Sequence, residues 1–148
     1  MLPRQGVTRE ISQFIAKTTW QDIPDQARHE AKRALLNFFA VAIAGCRTQP
    51  VELALSSLAE FSGGRQATIV GRSERIDALG AAFLNAAGAN VFDFCDTHLP
   101  TVVHPTSPLA PALLSLAELR HVTGPQFLLA FVIGFEIECR IGGAISPG

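Results

Sequence analysis

Two carboxylates, a thiol, two imidazoles and two threonine hydroxyls fall within one short segment, Asp93-Phe94-Cys95-Asp96-Thr97-His98-Leu99-Pro100-Thr101-Val102-Val103-His104-Pro105. Histidine titrates near pH ~6.5, so a modest shift lets it accept or deliver a proton near neutrality. A carboxylate beside it can orient the ring or hold loop amides, and a threonine hydroxyl can bind an anionic ligand. The mixed carboxylate and imidazole donors Asp93, Asp96, His98 and His104 also have the types that hold zinc or a non-haem metal. Proton transfer and metal-assisted hydrolysis are therefore both open from residue types alone.

Each residue also has a purely structural role available. His104 sits between Val103 and Pro105, which suits a packed, hydrogen-bonded histidine. Asp93 falls where a helix is expected to end, and the helix dipole disfavours a negative charge there, which points to a use other than stability. Asp96 is the better residue for holding loop amides, with His98 in support. If the helix ran one turn further, Asp93 and Thr97 would share a face and Asp96 would point elsewhere. Cys95 reads as a small buried residue, with no neighbouring cation to favour the thiolate.

The segment must be positioned by helices. Pro100 and Pro105 push Leu99 and His104 toward extended backbone, so the spacing predicts a loop. Val7, Ile11, Phe14 and Ile15 give a first amphipathic helix ending near Thr18. Pro24 opens a second, with Ala27, Ala31, Ala34, Leu35, Phe38, Ala42 and Ile43 on its apolar face and Gly45 as its stop. A third carries Leu55, Leu58 and Phe61 inward and closes at Gly63-Gly64. Ala67 to Val70 is the one extended candidate, and it has no evident partner. A helical pattern from Ile76 to about Phe92, with Leu79, Ala82, Phe83, Ala86 and Ala87 on one side, leads into the loop. Pro108 starts the next helix, and Thr123 with Gln126 forms a capping box for the last, which is apolar nearly all round and belongs in an interior.

The expected fold is an all-α bundle with at most one short extended segment near residues 66–70. The chain has 148 residues, 48% of them hydrophobic and only 17% charged, so some helical faces are expected to pack against a second subunit or further chain. A net charge of −1 gives no basic stripe for nucleic acid. Cys46, Cys95 and Cys139 match neither a disulfide framework nor a zinc-ligand spacing. The first residues, Met1 to Gly6, lack the apolar core of a secretory leader. The longest apolar run, Phe127 to Phe135, falls short of the ~20 residues a membrane span needs. These features lead to an expectation of a cytoplasmic protein without a membrane partner.

An Asp-Phe-x-Asp-Thr-His followed closely by His-Pro is an unusual combination. Together with Pro108-Leu109-Ala110-Pro111-Ala112-Leu113-Leu114, Leu35-Leu36-Asn37 and Ile76-Asp77-Ala78, it makes the chain resemble the N-terminal part of the MmgE/PrpD family. That family includes 2-methylcitrate dehydratase, cis-aconitate decarboxylase and iminodisuccinate epimerase. The resemblance implies a helical domain over residues 1–148 that is incomplete and lacks a lid domain, a homodimer or a complementing lid segment, and no cofactor or metal. It implies that His104 and Asp93 are catalytic, that Thr97 binds substrate, and that Asp96 and His98 support them. The implied activity is a lyase reaction on a small polycarboxylate, 2-methylcitrate dehydratase-like, by proton transfer at a carbon next to a carboxylate. A non-catalytic helical module that dimerises or needs a lid-bearing partner is the alternative, and a metal-dependent hydrolase is a third reading. Three positions depart from the family pattern: Cys95 and Asn37 stand where aspartates are frequent, and Asn90 where a histidine is common.

A polycarboxylate beside Asp93 would be repelled by ~4 kcal/mol per charge pair at 4 Å and an effective dielectric of 20. The loop between Phe92 and Pro108 has no Lys or Arg, and the nearest in sequence on the N-terminal side are Arg72 and Arg75. The compensating cations are therefore expected from elsewhere in the fold, from a partner or from further chain.

Overall fold

The computed structural model describes residues 6–145. The leader reading of Met1 to Gln5 and both ends of the expected 1–148 domain lie outside them. Among the described residues the fold is an all-α bundle of six helices and one minimal hairpin. The helices are α1 (Val7–Lys17), α2 (Asp25–Gly45), α3 (Gln49–Ala59), α4 (Ala78–Asn90), α5 (Thr106–Leu119) and α6 (Gly124–Ile145).

The extended segment does have a partner. β1 (Ala67–Thr68) pairs antiparallel with β2 (Arg75–Ile76), Ala67 opposite Ile76. Ile76 thus belongs to a strand and not to the following helix, which begins only after Asp77. That aspartate caps α4 by accepting from the backbone N–H groups of Leu79 and Gly80 at 3.1 and 2.9 Å. Thr123 and Gln126 form the expected capping box at the start of α6.

Helix α4 is the axis of the fold, packed on α2 and α5 and lying between two apolar clusters. One cluster gathers Phe38, Val41, Ala42, Ala89, Ala110 and Phe131, and the other Val51, Ile69, Ile76, Ala81 and Leu84. The face that α4 buries is not the expected one. Gly80, Ala81, Leu84, Asn85 and Gly88 point inward, while Leu79 and Phe83 are exposed. The reason lies in the crossing with α2, where a Cβ on Gly45 would stand 2.0 Å from the Gly88 carbonyl oxygen. Backbones this close admit only small residues at the crossing, so Leu79 and Phe83 fall elsewhere, while Leu84 is buried in the second cluster away from it.

Other expected inward residues also face out. Phe61 lies past the end of α3 and is 85% exposed. Ile43 is exposed on α2, and α1 buries none of its residues, leaving Val7, Phe14 and Ile15 open. Helix α6, apolar nearly all round, buries only Phe131, Ile133 and Gly142 fully. No single helix among the described residues is long and apolar enough to cross a membrane; α2 and α3 reach that length and apolarity only as a pair bent by 84°.

Candidate active site

The loop between α4 and α5 is held from three sides and by its own backbone. Helix α4 ends at Asn90, earlier than the sequence pattern implied, so Asp93 does not share a helical face with Thr97. The chain instead turns, with the Asp93 N–H donating to the Asn90 carbonyl at 3.0 Å and Asp93 itself in the left-handed region at φ 57°. Aspartate tolerates this region better than most residues. Asn37 of α2 donates from Nδ2 to the Phe94 carbonyl at 3.2 Å, tethering the loop to the bundle.

From His98 to Val103 the backbone reverses sharply. The His98 N–H donates to the Val103 carbonyl at 2.8 Å, and the N–H groups of Thr101 and Val102 donate to the His98 carbonyl at 3.0 and 2.8 Å. Val102 takes φ 56° at the tip. This reversal rests on α6 at Gly142, where a Cβ would meet Val103 and Thr101 at 3.2 and 3.3 Å.

Asp96 joins the loop to α5. Its carboxylate accepts from the Thr106 N–H at 3.3 Å and the Thr106 hydroxyl at 2.6 Å. Thr106 is the first residue of α5 and is fully buried, so the carboxylate caps that helix from ten residues upstream and lies at its positive end. The backbone carbonyl of the same Asp96 lies 3.0 Å from His104 Nδ1. A carbonyl only accepts, so Nδ1 carries the proton and Nε2 of the neutral ring presents a lone pair. Thr97 Oγ1 and Cys95 Sγ each lie 3.3 Å from the same Nδ1. On the other side of the ring, Asp93 Oδ1 is 4.0 Å from Nε2.

The loop therefore gathers Asp93, Cys95, Thr97 and His104 at one point, with His104 half-buried and Asp93 exposed. Asp96 turns away to α5, and His98 turns away to Thr101, 2.7 Å from its hydroxyl. The four-residue metal set read from the sequence is consequently not assembled: the metal-ligating atoms that converge belong to Asp93, Cys95 and His104, all within 4.8 Å of one another.

Cys95 is the member that residue types did not single out. It is half-buried beside His104, and its thiol donates to Asn90 Oδ1 at 3.3 Å. Cys95 and Asn90, two of the three positions that depart from the family pattern, are thus in contact, and the third, Asn37, holds the same loop. Their shared departure was the signal that could have found the pair.

Electrostatics around the loop are acidic. Glu138 of α6 has its carboxyl pushed up by burial and by the charge of Asp96. Arg72 and Arg75 do not offset this: Arg72 is buried between Glu52 and Glu74, and Arg75 pairs with Glu118. A groove of about 460 Å³ beside Asp96 is floored by Ala31, Phe131 and Phe135, with Glu30 and Glu136 on its rim against Arg33. Arg33 pairs with Glu30, so this groove does not suit a polycarboxylate.

Residues 9–148 match the family model described as the MmgE/PrpD N-terminal domain. A cis-aconitate decarboxylase-like protein of Aspergillus oryzae is 29% identical over 97% of the chain and 31% of its own length. The cis-aconitate decarboxylase of Aspergillus terreus is 27% identical over 96% of the chain, and that of Mus musculus 27% over 93%, covering 30% and 29% of those proteins. The chain thus spans about a third of the length of the curated relatives it matches.

Proposed function

The chain belongs to the MmgE/PrpD family, and from that premise we propose that it supplies the proton-transfer wall of a lyase acting on a small polycarboxylate. The observation that carries this reading is the tautomer of His104. With Nδ1–H held by the Asp96 carbonyl, Nε2 faces the open side of the loop beside Asp93. Nε2 takes or delivers the proton at a carbon next to a carboxylate, and Asp93 stabilises the imidazolium while it carries that proton. Thr97 donates its hydroxyl to a substrate carboxylate.

The relatives' names support decarboxylation of cis-aconitate ahead of dehydration of 2-methylcitrate. In a decarboxylation the carbon–carbon bond to one carboxyl breaks, its electron pair stays on the substrate, carbon dioxide leaves, and protonated His104 delivers the proton. In a dehydration the neutral ring removes a proton and the hydroxyl departs as water. The same Nε2 serves both. The cations that offset the substrate's charge come, in this proposal, from a lid segment or a second copy, since Arg72 and Arg75 are engaged elsewhere.

The test is incubation of the protein, together with the lid segment or second copy that supplies the cations, with cis-aconitate and with 2-methylcitrate in deuterated water, followed by NMR of product and of the His104 ring. The expected result is carbon dioxide release with deuterium placed on the product carbon, at a rate lowered ~10²–10⁴-fold by His104→Gln. Turnover that His104→Gln leaves intact would remove the assignment. Equally damaging would be a His104 resonance that neither compound moves.

A further inference from the structure

We propose that Asn90 and Cys95 are positioning residues for His104: the Asn90 side-chain oxygen takes the Cys95 thiol proton, which keeps the ring proton on Nδ1 and the lone pair on Nε2. A thiol has one proton to give and lone pairs that accept. Cys95 Sγ stands 3.3 Å from Asn90 Oδ1 and 3.3 Å from His104 Nδ1. Its single proton can serve only one of them. Directed at Asn90, it leaves sulfur lone pairs toward the ring, and these accept from Nδ1–H alongside the Asp96 carbonyl at 3.0 Å. Directed at Nδ1, it requires that nitrogen to be bare, and the ring proton moves to Nε2.

The second arrangement faces the Asp96 carbonyl with a lone pair and leaves Asn90 Oδ1 without its donor, and an acceptor without a donor is costly once water is displaced. Asp93 pulls the other way, since a carboxylate favours an N–H on Nε2, but it stands 4.0 Å off with its side chain 82% exposed, so water competes for it. Asn90 therefore keeps the thiol from joining Asp93 in drawing the proton across the ring. Donation to Asn90 also polarises the thiol and makes its sulfur a better acceptor. Helix α4 places Asn90 for this role: it is the last helical residue, and its carbonyl accepts from the Asp93 N–H at 3.0 Å, so the turn leading to Cys95 starts on it. Thr97 Oγ1 is also 3.3 Å from Nδ1, but Thr97 is exposed and its proton goes to solvent or substrate. Cys95 is half-buried, and among the described residues its thiol meets no side-chain acceptor besides Asn90 and the ring.

The consequence for turnover rests on the functional reading, because a ring protonated at Nε2 has no lone pair with which to take a proton from substrate. The placement of the protons does not rest on it, and long-range proton–nitrogen correlation NMR of the neutral His104 ring reads it in the full chain. Asn90→Leu keeps the branched shape, offers no acceptor and shields the thiol from water. It should raise the Nε2–H share ~2–10-fold, the ratio that one net hydrogen bond shifts. Cys95→Ala should leave Nδ1–H dominant, because the Asp96 carbonyl remains. Asn90→Leu combined with Cys95→Ala should return the share to that of Cys95→Ala, since the thiol proton that competes for Nδ1 is gone. A packing role for Asn90 gives no such reversal. An unchanged tautomer ratio in Asn90→Leu, or a shift that persists when Cys95 is also alanine, overturns the proposal. A tautomer that responds as expected while turnover ignores it would retain the positioning and remove the proton-transfer reading. Turnover lost in His104→Gln, with a tautomer indifferent to Asn90→Leu, would do the reverse.

Discussion

The ring of His104 and the first residue of α5 are bound to the same aspartate: Asp96 offers its carbonyl to Nδ1 at 3.0 Å and its carboxylate to the Thr106 hydroxyl at 2.6 Å. The orientation of the His104 ring is thereby tied to the buried first residue of α5. Neutral His104 should be the Nδ1–H tautomer, and long-range proton–nitrogen correlation NMR reads this directly. A ring found protonated at Nε2 would contradict the assignment. Asp96→Ala should cost about 1–2 kcal/mol by removing a helix cap, measured by urea unfolding, and should weaken the tautomer preference only as far as the freed loop moves the carbonyl, which alanine retains. Asp96→Asn should retain part of both, since an amide oxygen still accepts from Thr106.

The contact of Gly45 with Gly88 sets the angle at which α4 feeds the loop. A methyl group at Gly45 meets a backbone carbonyl oxygen at 2.0 Å and Val91 Cγ1 at 2.8 Å, so the helices must separate. Gly45→Ala should destabilise by at least ~1–3 kcal/mol, despite the better helix propensity of alanine. Gly63→Ala is the control, because nothing lies within 4 Å of a Cβ there. It should fall within about 0.5 kcal/mol of wild type. Equal midpoints in urea for the two variants would refute the crossing as the constraint.

The helices were legible because hydrophobic spacing and caps act locally. Thr123 with Gln126, the stop at Gly45 and the loop between Asp93 and Pro105 all followed from residue type and position. Which face of α4 is buried did not follow. Periodicity marks Leu79 and Phe83 as apolar, but the approach of α2 at Gly45 decides in favour of the small residues. The β1–β2 pair was hidden because two-residue strands leave no alternating pattern to read. At the site, His104 and Asp93 were visible as residue types in an unusual loop. The tautomer was not, because it depends on a carbonyl eight residues away, and Cys95 was passed over because burial alone looked sufficient for it.

Val102 holds φ 56° at the tip of the reversal, a region that a β-branched residue adopts only at a cost of about 1–3 kcal/mol. The residue is 72% exposed, so it gains little from packing. Glycine removes the steric cost but loses more backbone entropy on folding. Val102→Gly should therefore stabilise by a net of roughly 0.5–1 kcal/mol, seen as a higher urea midpoint with unchanged slope. Val102→Ala should gain less, since alanine keeps a Cβ. A destabilised glycine variant would show that the exposed valine makes a contact needed for the turn.

Acid stability should depend on Arg72. Its side chain is 4% exposed and bonds Glu52, Glu74 and the Cys46 carbonyl, joining α2, α3 and the hairpin turn. The guanidinium holds the Glu52 carboxyl below its ordinary value, and holds that of Glu74 down at about 2. A carboxyl whose folded pKa is depressed favours the folded state above its unfolded pKa near ~4.3. As pH falls through that value toward about 2, the unfolded chain takes up protons first and the advantage disappears. The thermal midpoint of the wild-type chain should therefore fall as pH is lowered across this window. Arg72→Ala should lower neutral stability only modestly, because both carboxylates are half-exposed and screened by solvent. It should also reduce the acid slope, since Arg72 is the largest cause of both depressions, while the Glu74 backbone N–H, Ser73 and the charge of Arg47 keep a remainder. An acid slope undiminished in Arg72→Ala would assign the effect to other carboxylates, Asp77 at the α4 cap first among them, whose carboxyl is lowered by the Gly80 N–H.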